Sequence, residues 1–264
     1  MNINSDFSGA LFLRKLSIVY VAQLRQGGRC QLEQVQPTAG CAWHSHRWQL
    51  KTSRQSTWIS SLKMTVNGAP VRGLHGRSKD GPACRAPGCA AERETLAHVL
   101  GLCPKGDLLR NTRHHKCRTM IADEFRKKEW EVFEEVTCIG NEDSSRRIDI
   151  IVIDRENKVA LILDPTVRYE AGENQAVEVN EEKRRIYVPC IPDLTERYRL
   201  QGFDVDIIGL YIGARGALSK FFVDFCNKYS LSKDLIGRIV ISVLKGSCSI
   251  LNHHLYSQQP VTAV

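Results

Sequence analysis

The spacing Cys84-x4-Cys89-x8-His98-x4-Cys103 constrains this chain more than any other feature. Three thiols and one imidazole complete a tetrahedral donor set for zinc and leave no position open, so the spacing predicts a structural Zn²⁺ site and not a catalytic one. Metal binding there supplies folding free energy to a segment too short to build its own core. Pro87-Gly88 makes the turn between the first two donors, and Glu94–Val99 reads as a helical turn presenting His98. The alternative is a group of reduced cysteines that hold nothing. Of the ten cysteines, Cys190, Cys226 and Cys248 stand in apolar surroundings and read as buried small hydrophobes. Cys41, His44 and His46 form a looser set whose fourth donor would be Cys30 at an odd distance, and they read as incidental loop residues.

A chain of 264 residues, 42% hydrophobic and 25% charged, has room for one sizeable core and a smaller unit, which excludes a wholly disordered chain. No apolar run reaches the roughly 18 residues of a membrane span. Leu11–Leu13 and Ile18–Val21 are split by Arg14-Lys15, so neither a signal peptide nor an anchor is expected. With ten cysteines and no export signal, cytosol or nucleus is the expected compartment. The net charge of +8 lies wholly in residues 1–83, which hold 11 Lys/Arg against 3 Asp/Glu; the remainder holds 26 of each. A basic extension beside a neutral body suits a polyanion such as nucleic acid, or a solvated flank.

Residues 1–83 are Gln-, Ser- and Gly-rich, with helices expected at 8–25 and around 48–64. One helix is expected over 105–128, carrying Arg110, Arg113, His114, His115, Lys116 and Arg118, which suit backbone-phosphate contact, with His114 or His115 the alternative fourth donor at the cysteine cluster. Short strands are expected at Glu131–Cys138, Arg147–Ile153 and Lys158–Asp164, joined by hairpin-length turns at Gly140-Asn141 and Arg155-Glu156-Asn157. Helices at about Asn174–Tyr187 and Asp193–Leu200, a strand at Phe203–Ile212, and helices at about Ala217–Tyr229 and Lys233–His253 complete the order. The fold class expected is α/β, a mixed central sheet with flanking helices.

Asp149 lies within a β-branched run and Asp164 ends the next strand. A carboxylate in such surroundings is costly unless paired, hydrogen-bonded or metal-bound. Two on neighbouring strands can share one Mg²⁺ or Mn²⁺, and Lys183 on the following helix is the candidate for stabilising charge beside them. The bland alternative is that the acids cap strand ends or pair with Arg146, Arg147 and Arg168, while Glu170, Glu178 and Glu182 are further candidate ligands or solvated groups.

Cys84-Arg85-Ala86-Pro87-Gly88-Cys89, Glu94–Leu100 and Cys103-Pro104 resemble the zinc knuckle of site-specific non-LTR retrotransposon polyproteins, the kind that insert in ribosomal RNA genes. Arg113-His114-His115 resembles the R-H-N segment that follows that knuckle. Arg147-Ile148-Asp149, Leu163–Val167, Lys183-x3-Tyr187, Gly209–Gly216 and Ile241–Ser247 resemble the restriction-like endonuclease of those polyproteins, of the PD-(D/E)-x-K superfamily.

The resemblance implies a restriction-endonuclease-like core in which Asp149 and Asp164 bind the catalytic Mg²⁺ or Mn²⁺. Lys183 would be the catalytic lysine and Tyr187 its companion. It implies nicking of target DNA to leave a 3′-hydroxyl primer, with DNA and element RNA as partners; no membrane partner and a nuclear location are expected. The implied organisation is a basic segment at 1–83, the end of a larger polyprotein region, a knuckle at 84–104, a basic linker helix at 105–128, the endonuclease at 129–256 and a tail at 257–264. Ile148 replaces the family's proline, Thr166 stands where its lysine is expected, and no x-Asp-Asp polymerase motif is found. The rival readings are a transposon-derived module that grips nucleic acid without cutting and, further off, a purely structural zinc protein.

Overall fold

The computed structural model describes residues 55–140 and 144–257. The expected helix at 8–25 and the group Cys30, Cys41, His44 and His46 lie outside the described residues, as do positions 48–54 of the second expected helix. The rest of that helix is α1 (Gln55–Thr65). A short helix α2 (Leu96–Gly101) follows, capped by the Thr95 hydroxyl, which accepts a hydrogen bond from His98 N at 3.0 Å. After the 3₁₀ turn Pro104–Gly106 comes α3 (Asp107–Arg126).

Three strands, β1 (Glu131–Ile139), β2 (Ser145–Asp154) and β3 (Val159–Arg168), form the antiparallel meander that the β-branched runs predict. The β2–β3 turn is closed by Asp154, whose carboxylate accepts from the backbone of Glu156 and Asn157. The chain then crosses through α4 (Gln175–Tyr187) and α5 (Ile191–Arg197). It returns as β4 (Asp204–Gly213), parallel to β3. The sheet order is β1-β2-β3-β4, and α6 (Lys220–Lys228) and α7 (Leu235–Tyr256) end the described fold. The architecture is mixed α/β, a four-stranded mixed sheet with flanking helices, as expected.

Both faces of the sheet are covered, which is why the strands read as near-continuous apolar runs. On one face Ile150, Val152, Leu161, Leu163, Leu210 and Ile212 pack against Ile121 and Phe125 of α3, Phe222 of α6, and Ile239 and Val243 of α7. On the other, Ile151, Ile153 and Ile162 pack against Tyr187, Cys190 and Leu194. A third cluster joins α2 (Leu96, Val99, Leu100) to Met64 and to Cys248, Ile250 and Leu251 of α7. Cys190, Cys226 and Cys248 are all buried. By length and composition α7 has the profile of a membrane-crossing helix, which corrects the expectation that no run is long enough; 61% of its most apolar window is buried inside this fold.

Glu124 fastens the end of α3 to the start of α7. It accepts from the Ser232 backbone N–H at 2.9 Å, the Ser232 hydroxyl, Lys127 at 2.6 Å and Arg238 at 2.5 Å. Burial alone raises its carboxyl, but these donors outweigh it and bring the pKa from 4.5 down to about 2. A depressed folded-state value means the stabilisation is complete above pH 4.5 and is lost as pH falls toward 2. The span corresponds to about 3 kcal/mol. Glu124→Gln is therefore expected to lower stability at neutral pH and to flatten the acid limb of a denaturation series between those values. Parallel pH curves for variant and wild type would contradict the assignment.

Candidate metal centre and acidic cleft

The four donor atoms of Cys84, Cys89, His98 and Cys103 all lie within 4.8 Å of one another. With zinc–sulfur at about 2.3 Å and zinc–nitrogen at about 2.0–2.1 Å, a tetrahedral ion separates two sulfurs by roughly 3.8 Å, and sulfur from nitrogen by roughly 3.5 Å. The structure has Cys84 Sγ and Cys103 Sγ at 3.8 Å, and Cys89 Sγ and His98 Nε2 at 3.4 Å. Burial pushes the Cys84 thiol up to about 12 and raises that of Cys103, so thiolates at these positions need a cation. Burial also lowers the pKa of His98, favouring the neutral ring a metal requires. The cluster can bind zinc on geometry and on donor chemistry.

Two residues of this centre were not legible in the spacing. Glu94, fully buried, accepts from the backbone of Arg72 and Arg85, from the Arg85 guanidinium and from His254 Nε2 at 2.9 Å. Burial raises its carboxyl, yet these bonds hold it down to about 2. His254, from the last turns of α7, sets Nδ1 3.6 Å from Cys103 Sγ. The pair hooks the end of α7 onto the back of the donor cluster.

The second site lies where the sheet forks. Pairing between β2 and β3 ends at Ile150↔Leu163, while β1–β2 runs on to Ile139↔Ser145 and β3–β4 to Arg168↔Gly213. Pro165, with no N–H to give, lies just past the last β2–β3 pair, and Glu135 of β1 turns through a φ of 58° beside it. Asp149 and Asp164 are the first residues beyond that last pair, one on each arm. They line one open cleft of about 620 Å³ together with Lys183, Tyr187, His114, Arg147 and Arg168.

Helix α4 reaches the fork because β4 is thin there. A Cβ on Gly209 would stand 2.7 Å from Val179 O, and the Gly209 N–H donates to Asn180 Oδ1 at 3.0 Å. Lys183 and Tyr187, one turn apart on this helix, both meet Asp164. Lys183 Nζ is 2.9 Å from Oδ2, the Tyr187 hydroxyl donates to Oδ2 at 2.7 Å, and the Thr166 hydroxyl donates to Oδ1 at 2.8 Å. Burial alone would raise the Asp164 carboxyl, but the Lys183 charge and these three donors hold it below the usual range. Burial and the neighbouring Asp164 drive the Tyr187 phenol the other way, so it remains a donor. Asp149 meets a different partner, His114 Nε2, at 3.2 Å from Oδ1.

The helix residues expected to contact phosphate divide into three groups. His115 and Lys116 are exposed, and Arg110 lines the cleft while donating to Cys103 O. Arg113 and Arg118 are only 2% and 8% exposed, although Arg113 also borders the cleft. Arg113 continues the inward stripe of Cys117, Ile121 and Phe125 at four-residue spacing, and its guanidinium donates to Ser247 Oγ and Leu100 O. Arg118 is spent on Glu134 and Glu135. Glu135, which also pairs with Arg147, had no signal beyond two adjacent glutamates inside an apolar strand. Arg113→Ala, which strips a donor from Leu100 O and from Ser247 Oγ, the latter still bonded to Ala214 O, is expected to cost about 2–4 kcal/mol in denaturant unfolding. A loss below about 0.5 kcal/mol would place this arginine at the surface.

No family model matches the chain. It is similar to the retrovirus-related Pol polyprotein from type-1 retrotransposable element R2 of Popillia japonica, 28% identical over 161 residues that cover 60% of this chain. The match covers 32% of that polyprotein, so the chain corresponds to about a third of its relative's length. The similarity supports a non-LTR retrotransposon origin for this chain.

Proposed function

We propose that the chain is the zinc knuckle and restriction-like endonuclease of a non-LTR retrotransposon polyprotein, and that it nicks DNA in the forked cleft with the help of a divalent cation. The observation that carries this reading is the meeting of Asp149, Asp164 and Lys183 in one cleft, with the Lys183 ammonium 2.9 Å from Asp164. Two hard oxygen donors with room for water and a phosphate fit Mg²⁺ or Mn²⁺. Such a cation, when bound, lowers the pKa of water and offsets charge on the phosphodiester.

The residues of the chain divide the remaining work. Asp149 and Asp164 would hold the cation from the two arms of the fork. Lys183 offsets negative charge on the phosphate oxygens as water adds to phosphorus and the bond from phosphorus to the 3′ oxygen breaks. That oxygen takes up a proton and leaves as the 3′-hydroxyl a polymerase extends. Tyr187 and Thr166 keep Asp164 ionised and oriented. Arg147, Arg168 and Arg110 line the same cleft, and exposed Lys116 and His115 extend the basic surface along α3. A DNA partner suits this surface, as does a nuclear location for a protein that acts on genomic DNA.

A second reading, a remnant that grips DNA without cutting, draws on Asp164 already holding three donors from its own neighbours and on Thr166 in the expected lysine position. Both readings give DNA affinity that falls with salt, by about 0.9 decades per decade of salt for each phosphate contacted. Nicking separates them. The full chain is incubated with supercoiled plasmid in Mg²⁺ or Mn²⁺. Conversion to open circle that stops on chelation is expected; binding without any conversion would leave the remnant.

A further inference from the structure

We propose that His114 is a positioning residue for Asp149, holding that carboxylate in the orientation that receives the cation. The inference rests on the nuclease reading of the cleft and adds to it a group from outside the sheet.

The two acids of the fork are supported in different ways. Asp164 has three donors of its own, from Thr166 on the same strand and from Lys183 and Tyr187 on α4. Asp149 has none from β2, β3 or α4. Among the described residues its side chain is hydrogen-bonded by His114 of α3 alone, Nε2 to Oδ1 at 3.2 Å. β2 has already parted from β3 at this point, so no β3 residue stands opposite Asp149, and on the β1 side the register passes over it between Glu134↔Ile150 and Val136↔Ile148. A free aspartate rotates among staggered positions, and one oxygen held by a ring N–H leaves the other presented in a fixed direction.

His114 can do this because its helix does not move freely. Arg110 donates to Cys103 O at 2.6 Å, Arg113 to Leu100 O at 3.1 Å and to Ser247 Oγ at 2.8 Å, and Arg118 to Glu134 at 2.8 Å. These anchors lie on both sides of His114 in the helix and reach the knuckle, α7 and β1. The side chain itself is 28% exposed and that of Asp149 15%, so the contact is shielded without being sealed. The adjacent His115 is more open and pairs with Glu135 at 3.7 Å, so the two histidines are not interchangeable.

Partners that orient metal-binding carboxylates typically change metal affinity about 10- to 100-fold when removed. The probe is Mn²⁺, followed by the loss of its free electron paramagnetic resonance signal on the zinc-loaded full chain. Wild type should show a site that Asp149→Asn abolishes. His114→Ala should raise its dissociation constant by about 10- to 100-fold, and His114→Gln, which retains an N–H donor, should recover most of the loss. Duplex affinity measured without divalent ions should be unchanged in both, a result a phosphate-binding histidine would not give. Should the alanine variant fail to fold, His114→Leu fills the volume without donating and replaces it. Mn²⁺ affinity within about twofold of wild type in the non-donating variant overturns the inference while leaving the nuclease reading intact. A wild type with no site sensitive to Asp149→Asn overturns both.

Discussion

Asp164→Ala is expected to reduce plasmid nicking by about 10³-fold or more, the largest effect of any single change in this chain. The residue serves two functions in the cleft: it is a candidate oxygen donor to the cation, and it is the counter-charge that sets Lys183 in place at 2.9 Å. Its removal takes away several kcal/mol of charge stabilisation at once, and each 1.4 kcal/mol is about a decade in rate. Lys183→Ala keeps the carboxylate and removes the ammonium, so a smaller loss of about 10²–10³ is expected, as for other single groups that stabilise transition-state charge. Tyr187→Phe removes only one of three donors to Asp164 and should cost least. Gel conversion of supercoiled to open-circular plasmid measures all three, with DNA affinity as the control. Equal nicking by wild type and Asp164→Ala would remove the catalytic assignment altogether.

Stripping zinc is expected to give the largest loss of stability. The segment from Cys84 to Cys103 holds one short helix, whose Leu96, Val99 and Leu100 are packed on Cys248, Ile250 and Leu251 of α7. Each such side chain contributes about 1.5–3 kcal/mol by leaving water, and none of it persists if the donors no longer hold the loop closed. The buried Glu94–His254 contact would open with it. A loss of about 5 kcal/mol corresponds to roughly 10–20 °C in Tm for a fold of this size. Differential scanning calorimetry with and without a strong chelator, beside metal analysis showing one zinc per chain, tests this. An unchanged Tm after the metal is removed would make the donor cluster incidental.

Much of this molecule is legible from residue types alone because the strands are covered on both faces. Ile150 to Ile153 and Ala160 to Leu163 are apolar without interruption, and Asp149 and Asp164 at the ends of these runs need an explanation as carboxylates beside β-branched apolar residues. The spacing of the Cys/His donors is equally direct, since one segment of 20 residues carries all four candidate ligands. What escaped notice depends on contacts between distant segments. β3 runs on to Arg168 although Asp164-Pro165 reads as a strand end, because proline ends pairing with β2 while β4 continues alongside. His254 is 151 residues from the sulfur it faces, and nothing near it marks the contact. The charge of Arg113 hides its place in the inward stripe of α3, where it is buried. His114 and His115 look alike in the sequence, but one residue along a helix turns a side chain by about 100°, and His114 faces Asp149 at the fork.

The central claim is that one cation sits between the two arms of the fork. Crystals of the zinc-loaded chain soaked in Mn²⁺ and measured at the manganese edge test it most directly. A single anomalous peak is expected in the cleft, about 2.0–2.3 Å from an oxygen of both Asp149 and Asp164. Lys183 should remain hydrogen-bonded beside it. Peaks on separate ions at each acid, or manganese bound only elsewhere on the protein, would contradict the shared site and with it the cutting mechanism.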